Sequence, residues 1–507
     1  MKANFVVLLS LFVVGVFPAG ASPRFARIFS DHIVLQRGGE IPVWGWDAEP
    51  GMRLKVRLGE IEEEATIHED RRWSVSFPPR KASDEAVALI LLKDDEEIAK
   101  VNDVLVGEVW LAAGQSNMQF PVKGMLKGLP EEQTWIDSSD CPRIRFRRIG
   151  DPVLDDRRTE ARELVSGGEW ISMDPQSVLG FSAVAAGFAR KLHESLAVPV
   201  GMIDVSWGGK PIEPFIPREA FDTDFLKRIR ELADREQLDE LARTRGGVII
   251  RNPEGHPGAI FNSRMAPIIP FGLRGFLWYQ AESNSGKKED PRDYRKKMES
   301  LIGGWRSRWA NHEMPFYYVQ LPSYEPATGW IRVREEQRRV LSIPNTGMAV
   351  TIDIPGEEIH PPEKLPVAGR LARVALAQSY HKTGVTASGP NYQLHTVDGA
   401  EVQVQFEPAG TELMVGNRTG DGRVEEIPAT DLRWFELAGE DGVWHPAKAR
   451  VDGEKVVVVS EFVAVPVEVR YACRTSPQGG NLYSRDGLPA SPFCSRLDWL
   501  PWEDVPE

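Results

Sequence analysis

Apolar and polar positions change their spacing twice along the chain. From Ile28 to Val104 the apolar residues come in short runs, Ile33-Val34-Leu35 and Ile41-Pro42-Val43-Trp44, with strict alternation in Leu54-Lys55-Val56-Arg57-Leu58 and turn formers between them. This pattern predicts a small β-sandwich. From Val104 to about Tyr380, apolar strand runs at Val109 to Ala113, Val200 to Val205 and Phe276 to Tyr279 alternate with helical stretches such as Ser182 to Leu196. Alternation of that kind predicts a parallel α/β sheet. Strand patterns return after Thr386, in Glu401-Val402-Gln403-Val404-Gln405-Phe406, Lys455 to Ser460 and Val465 to Tyr471. The expected order is therefore β, α/β, β, with regions at 22–103, 104–385 and 386–507.

Two segments fall outside this scheme. Phe225 to Arg245 is highly charged, with Leu226, Ile229, Leu232, Leu238 and Leu241 at helical spacing, and predicts a surface insertion whose charges face water. At the N-terminus, Lys2 precedes an apolar run from Phe5 to Phe17 and then Pro18-Ala19-Gly20-Ala21. A charged start, an apolar stretch and an Ala-x-Ala site read as a signal peptide over 1–21, and the run falls short of the roughly 20 residues that span a bilayer. The mature chain is expected outside the cytoplasm, secreted or periplasmic, and free of the membrane.

Composition narrows the partner. A formal charge of −13 disfavours nucleic acid, whose phosphates attract Lys and Arg. Cys141, Cys473 and Cys494 are too few for a disulfide scaffold and lack zinc-site spacing, although a Cys473–Cys494 bridge is open to an exported chain. No His-Glu-x-x-His occurs, and no metal or cofactor is implied.

Four blocks carry chemistry. Val109-Trp110-Leu111-Ala112-Ala113 runs into Gly114-Gln115-Ser116-Asn117-Met118, which would set Ser116 at a strand C-terminus, where open α/β sheets bind ligands. The second glycine of Gly-x-Ser-x-Gly is missing, and a serine in such a turn is more often an N-cap than a nucleophile. Asp204 to Glu213 contains Gly208-Gly209, which would let backbone N–H groups approach a ligand. Phe276 to Asn284 ends a strand with Gln280, Glu282 and Asn284. Ile352 to Pro361 puts His360 behind Glu357 and Glu358 and ahead of a helix through Arg370 and Leu371. A serine nucleophile needs a base oriented by an acid, and no other histidine has a comparable setting.

Together these blocks resemble the SGNH-hydrolase superfamily, and within it the sialate O-acetylesterase family and the related acetylxylan esterases. Phe29-Ser30-Asp31-His32-Ile33-Val34-Leu35-Gln36 and Gly487-Leu488-Pro489-Ala490-Ser491-Pro492-Phe493 extend the likeness to both ends of the mature chain. The resemblance implies an SGNH-like three-layer α/β/α fold flanked by β-rich regions. It also implies a serine esterase that removes acetyl groups from carbohydrate. It makes Ser116 the nucleophile and His360 the base, with the Ser116 N–H and Gly209 in the oxyanion hole and Gln280 or Asn284 as a side-chain donor. The supporting acid would be Glu282 together with Glu357 or Glu358. Two departures stand out: Ala281 replaces a usual glycine, and Lys210 a usual threonine. The expected partner is an O-acetylated sugar or polysaccharide. Acetylxylan deacetylation would use the same chemistry, and a carbohydrate-binding protein without catalysis is the rival from another class.

Overall fold

The computed structural model describes residues 22–126, 130–166, 168–237, 255–285, 290–325, 329–419, 422–428 and 432–500. The expected signal peptide, and Leu238 and Leu241 of the charged helical stretch, lie outside them.

A parallel sheet forms the centre, and its strands in chain order are β1 (Glu96–Gly114), β2 (Cys141–Arg148), β3 (Ile171–Met173), β4 (Val200–Asp204), β5 (Gly275–Tyr279), β6 (Phe316–Val319) and β7 (Thr346–Ala349). They lie side by side in the order β3-β2-β4-β1-β5-β6-β7, all parallel except the edge strand β3. Side chains of successive residues leave a strand on opposite faces. Accordingly Leu111, Ala113, Phe276, Trp278, Phe316 and Tyr318 join one apolar core, and Trp110, Ala112, Leu277, Tyr279, Tyr317 and Val319 join another.

Helices complete both cores. The short turn α1 (Ser116–Gln119) follows β1, and α2 (Ala183–Leu196), α3 (Tyr294–Arg308), α4 (Trp330–Val340) and α5 (Lys364–Gln378) follow. Helices α2 and α5 pack in the Trp110 core, and α3 and α4 in the Leu111 core. Ser182 caps α2 by accepting the Ala185 N–H at 3.1 Å. Of the charged stretch, Asp224–Asp234 is helical and buries Leu226, Ile229 and Leu232.

The N-terminal region makes two facing antiparallel layers. One contains Ile41–Trp46 paired with Trp73–Phe77; the other contains Leu54–Leu58 paired with Ser83–Lys93, which in turn pairs with β1. Strand β1 therefore leaves the sandwich and enters the parallel sheet without a break, passing through the expected 103/104 boundary. Phe29 contacts Phe271 with ring centroids 5.9 Å apart, so one core runs through both regions.

The C-terminal region is antiparallel and has its own core around Val404, Leu437, Val458 and Phe493. Cys141, Cys473 and Cys494 are free thiols, with the Cys473 Sγ donating to the Phe493 carbonyl at 3.1 Å.

Candidate active site

Strand β1 lies between β4 and β5, with the chain running to β2 on one side of it and through β5, β6 and β7 on the other, and the crevice at such a switch point is where open α/β sheets hold ligands. It ends at Gly114 with φ of +135°, against β5 so closely that a Cβ would meet the Tyr279 carbonyl oxygen at 2.1 Å. Only glycine fits there. The next residue donates its N–H to the same carbonyl at 3.0 Å, and α1 then opens on Ser116, which is half-buried. The Ser116 Oγ lies 2.8 Å from His360 Nε2. Among the described residues this is the only hydrogen bond of the imidazole. For Nε2 to accept the serine proton, Nδ1 must carry the ring hydrogen.

Burial first, and then the Lys364 ammonium, lower the His360 pKa from 6.5, while Glu358 pulls it the other way. The imidazole is thus neutral at neutral pH and able to act as a base. His360 lines a cleft of about 500 Å³ with Phe120, Pro121, Pro355, Glu357 and Glu358.

The block after β4 lies directly against the serine. A Cβ on Gly208 would sit 3.6 Å from that of Ser116, and the Gly208 N–H donates to Gln119 Oε1 at 2.8 Å. Gly209 is exposed with φ of +69°. Neither its N–H nor that of Ser116 has a partner among the described residues, which leaves two backbone donors for an anionic oxygen.

The carboxylates and amides expected at the site are otherwise engaged. Glu357 and Glu358 are exposed and make no hydrogen bond to His360. Glu282 is buried, accepting from Asn117 Nδ2 and, at 3.0 Å, from the Ala281 N–H, and burial raises its pKa. Asp353, ahead of the histidine, is held by Arg370 through paired contacts of 2.6 Å. The Gln280 amide donates to Gln115 Oε1 at 3.0 Å and Asn284 Oδ1 at 2.8 Å. Asn284 in turn donates to Glu213 at 3.2 Å and accepts from the Ile212 N–H at 2.9 Å. Both amides are fully buried and tie strand ends together rather than facing the cleft.

Two residues of the site were not assigned roles from the sequence. Asn117 accepts from Lys364 Nζ at 2.6 Å and donates to Glu282 and, at 2.9 Å, to the Ile359 carbonyl next to His360. Lys364 is 1% exposed, and burial, against the attraction of Glu282, pushes its pKa down to about 7. It had one sequence signal: a cation opening a helix opposes the helix dipole and needs a local reason.

The comparisons with known proteins fit this geometry. The sequence profile of the family described as "Carbohydrate esterase, sialic acid-specific acetylesterase" matches residues 260–372. Sialate O-acetylesterase of Rattus norvegicus is 27% identical over 94% of this chain and 95% of its own length. That of Homo sapiens is 28% identical over 73% and 74%. A crystal structure of a carbohydrate acetylesterase from Xanthomonas citri superposes with a TM-score of 0.80 at 30% identity, covering 94% of this chain and 100% of that one. With a strand-end serine, a histidine in contact with it and likeness along nearly the whole chain, the protein belongs to the sialic acid-specific acetylesterase family of carbohydrate esterases and is a carboxylic ester hydrolase.

Proposed function

We propose that this enzyme removes O-acetyl groups from carbohydrate with Ser116 as nucleophile and His360 as general base. The 2.8 Å contact between Ser116 Oγ and His360 Nε2 at the end of β1 carries this reading. His360 takes the serine proton as Oγ attacks the acetyl carbonyl, and the N–H groups of Ser116 and Gly209 hold the oxyanion. The imidazolium then gives its proton to the departing sugar hydroxyl, leaving acetyl-Ser116. Water, deprotonated by the same imidazole, releases acetate and restores the serine. In place of a carboxylate bonded to Nδ1, the field of Glu358 favours the imidazolium. The four strand-end blocks and the helices on both sheet faces support the SGNH-type three-layer assignment. The leader over 1–21 supports export to a secreted or periplasmic location.

Acetylated sialic acid is the first candidate substrate, by likeness to the mammalian sialate O-acetylesterases. A neutral acetylated polysaccharide such as xylan is the second, favoured by Glu357, Glu358 and Glu363, which make the wall of the His360 cleft acidic. The deciding measurement is acetate release from both substrates side by side, with Ser116→Ala as the control. Activity that survives Ser116→Ala would remove the serine from its role.

A further inference from the structure

A second cleft, of about 450 Å³, has Trp207 of the block after β4 in its lining and shares no lining residue with the His360 cleft. Pro152, Leu154, Asp155, Arg157, Trp207 and Arg264 line it. Its link to the serine is direct: the Trp207 N–H donates to the Gly114 carbonyl at 2.9 Å, and the next residue, Gly208, lies against Ser116.

This cleft has a ring platform that is set before any ligand arrives. The Arg264 guanidinium lies 3.8 Å from the centroid of the half-buried Trp207 ring. Arg264 is itself fixed by hydrogen bonds to the Asp151 carbonyl at 2.9 Å and the Ser206 carbonyl at 3.1 Å. Lys210 Nζ lies 5.4 Å from the same centroid, and a ring held in this way offers what the two cations leave uncovered to flat apolar groups at little entropic cost. Beside it, Arg157 Nη1 is 3.2 Å from His256 Nε2, and the Arg157 Nε–H is buried without an acceptor among the described residues. A buried donor left unpaired is unfavourable in the free protein and is relieved by an incoming oxygen.

An acetyl group needs little room, and each cleft is already within the roughly 300–1,000 Å³ of a complete small-molecule site. Two such clefts, one lined by the histidine that contacts Ser116 and the other by Trp207, one residue from the Gly208 that lies against it, fit a chain of sugar rings better than a single ring. We propose that the Trp207 cleft is a second sugar subsite, so that the preferred substrate is an acetyl ester within an oligosaccharide rather than on a free monosaccharide. The neighbouring ring lays its C–H face on Trp207 and offers a hydroxyl or carboxylate oxygen to Arg157. The inference rests on the hydrolytic role of Ser116 given above.

The test compares kcat/KM for p-nitrophenyl acetate, an O-acetylated monosaccharide and an O-acetylated oligosaccharide of the same sugar. The oligosaccharide should exceed the monosaccharide by about tenfold, the scale of one good aromatic contact. Trp207→Ala should erase that advantage, Trp207→Phe should keep part of it, and Arg157→Met should reduce it. Equal values for the two sugars in the wild type, or an advantage that persists in Trp207→Ala, would overturn the proposal. Calorimetric binding of the deacetylated oligosaccharide to Ser116→Ala, with and without Trp207→Ala, reads the subsite without chemistry. About tenfold weaker binding is expected, and unchanged affinity would count against the subsite. Failure of the wild type to cleave p-nitrophenyl acetate would instead strike the esterase reading and leave the binding result to decide the subsite. Neutral and acidic oligosaccharides run in parallel identify the oxygen that Arg157 meets.

Discussion

The region that carries Ser116 and the region that carries His360 reach the same 2.8 Å contact by different means. Ser116 follows a strand buried at every position from Val104 to Gly114 and paired on both sides, so main-chain hydrogen bonds and apolar packing set its place. His360 stands between β7 and α5, where polar side chains do the holding. Asp353 is gripped by Arg370, and Arg418, from the C-terminal β region, pairs with Glu363 and lies 3.9 Å from Asp353. Asn117, braced by Lys364, holds the Ile359 carbonyl. The nucleophile is thus located by the sheet, and the base by a web of charges that spans two regions.

The largest effect should come from the nucleophile itself. Ser116→Ala is expected to lower kcat/KM by on the order of a thousandfold or more, with thermal unfolding unchanged because no packing is lost. Equal loss of folding stability would mean that the serine is structural.

Lys364→Met comes next. It keeps the side-chain volume but removes the brace on Asn117 and one of the two causes that lower the His360 pKa. A fall of roughly 10- to 100-fold in kcat/KM at neutral pH is expected, at or below the lower end of the roughly 10²–10⁴-fold that a general base contributes, because His360 itself remains. The pH profile separates the charge from the brace. Activity requires neutral imidazole and is lost as pH falls through the His360 pKa, which lies below 6.5. Lys364→Met should move that acid limb to higher pH. Glu358→Gln, which removes the opposing influence, should move it to lower pH. Shifts in the same direction would break the electrostatic account.

Arg418→Ala tests whether the C-terminal region helps to hold the base. It leaves Glu363 and Asp353 without one of their cations, and a several-fold loss of kcat is expected, with partial recovery in Arg418→Lys. An unchanged kcat would assign the web to stability alone.

The smallest effect belongs to Ala281, which adopts φ of +154°, a conformation that L side chains rarely take. Ala281→Gly should relieve about 1–3 kcal/mol of strain and lose about 0.5–1 kcal/mol through a more flexible unfolded chain. The net gain of about 1 kcal/mol is measurable by denaturant unfolding, and a lower midpoint would show that the backbone is unstrained.

The same contrast explains what could be read from the sequence. Strand ends announce themselves locally, so the apolar runs before Ser116, Gly208 and Gln280 were legible, as was the helix after His360. The web around His360 was not, because Arg418 meets Glu363 across 55 residues and no local spacing encodes such a pair. Gln280 and Asn284 looked like ligand-facing amides because composition reveals polarity but not the buried partners that satisfy it. The continuity of β1 through residues 103 and 104 is hidden for a related reason. The first half of β1 is mostly exposed and the second half is wholly buried, so one strand shows two hydrophobic patterns.

That unbroken strand also limits how the enzyme can be divided. A chain trimmed to start at residue 104 would still contain the serine. It would lack the strand partner Val34–Gln36 and the aromatic cluster around Phe29 and Trp44, on which the nucleophile strand is seated. The N-terminal sandwich is therefore a foundation cast in one piece with the catalytic floor, and engineering or modular exchange of this enzyme must carry the two together.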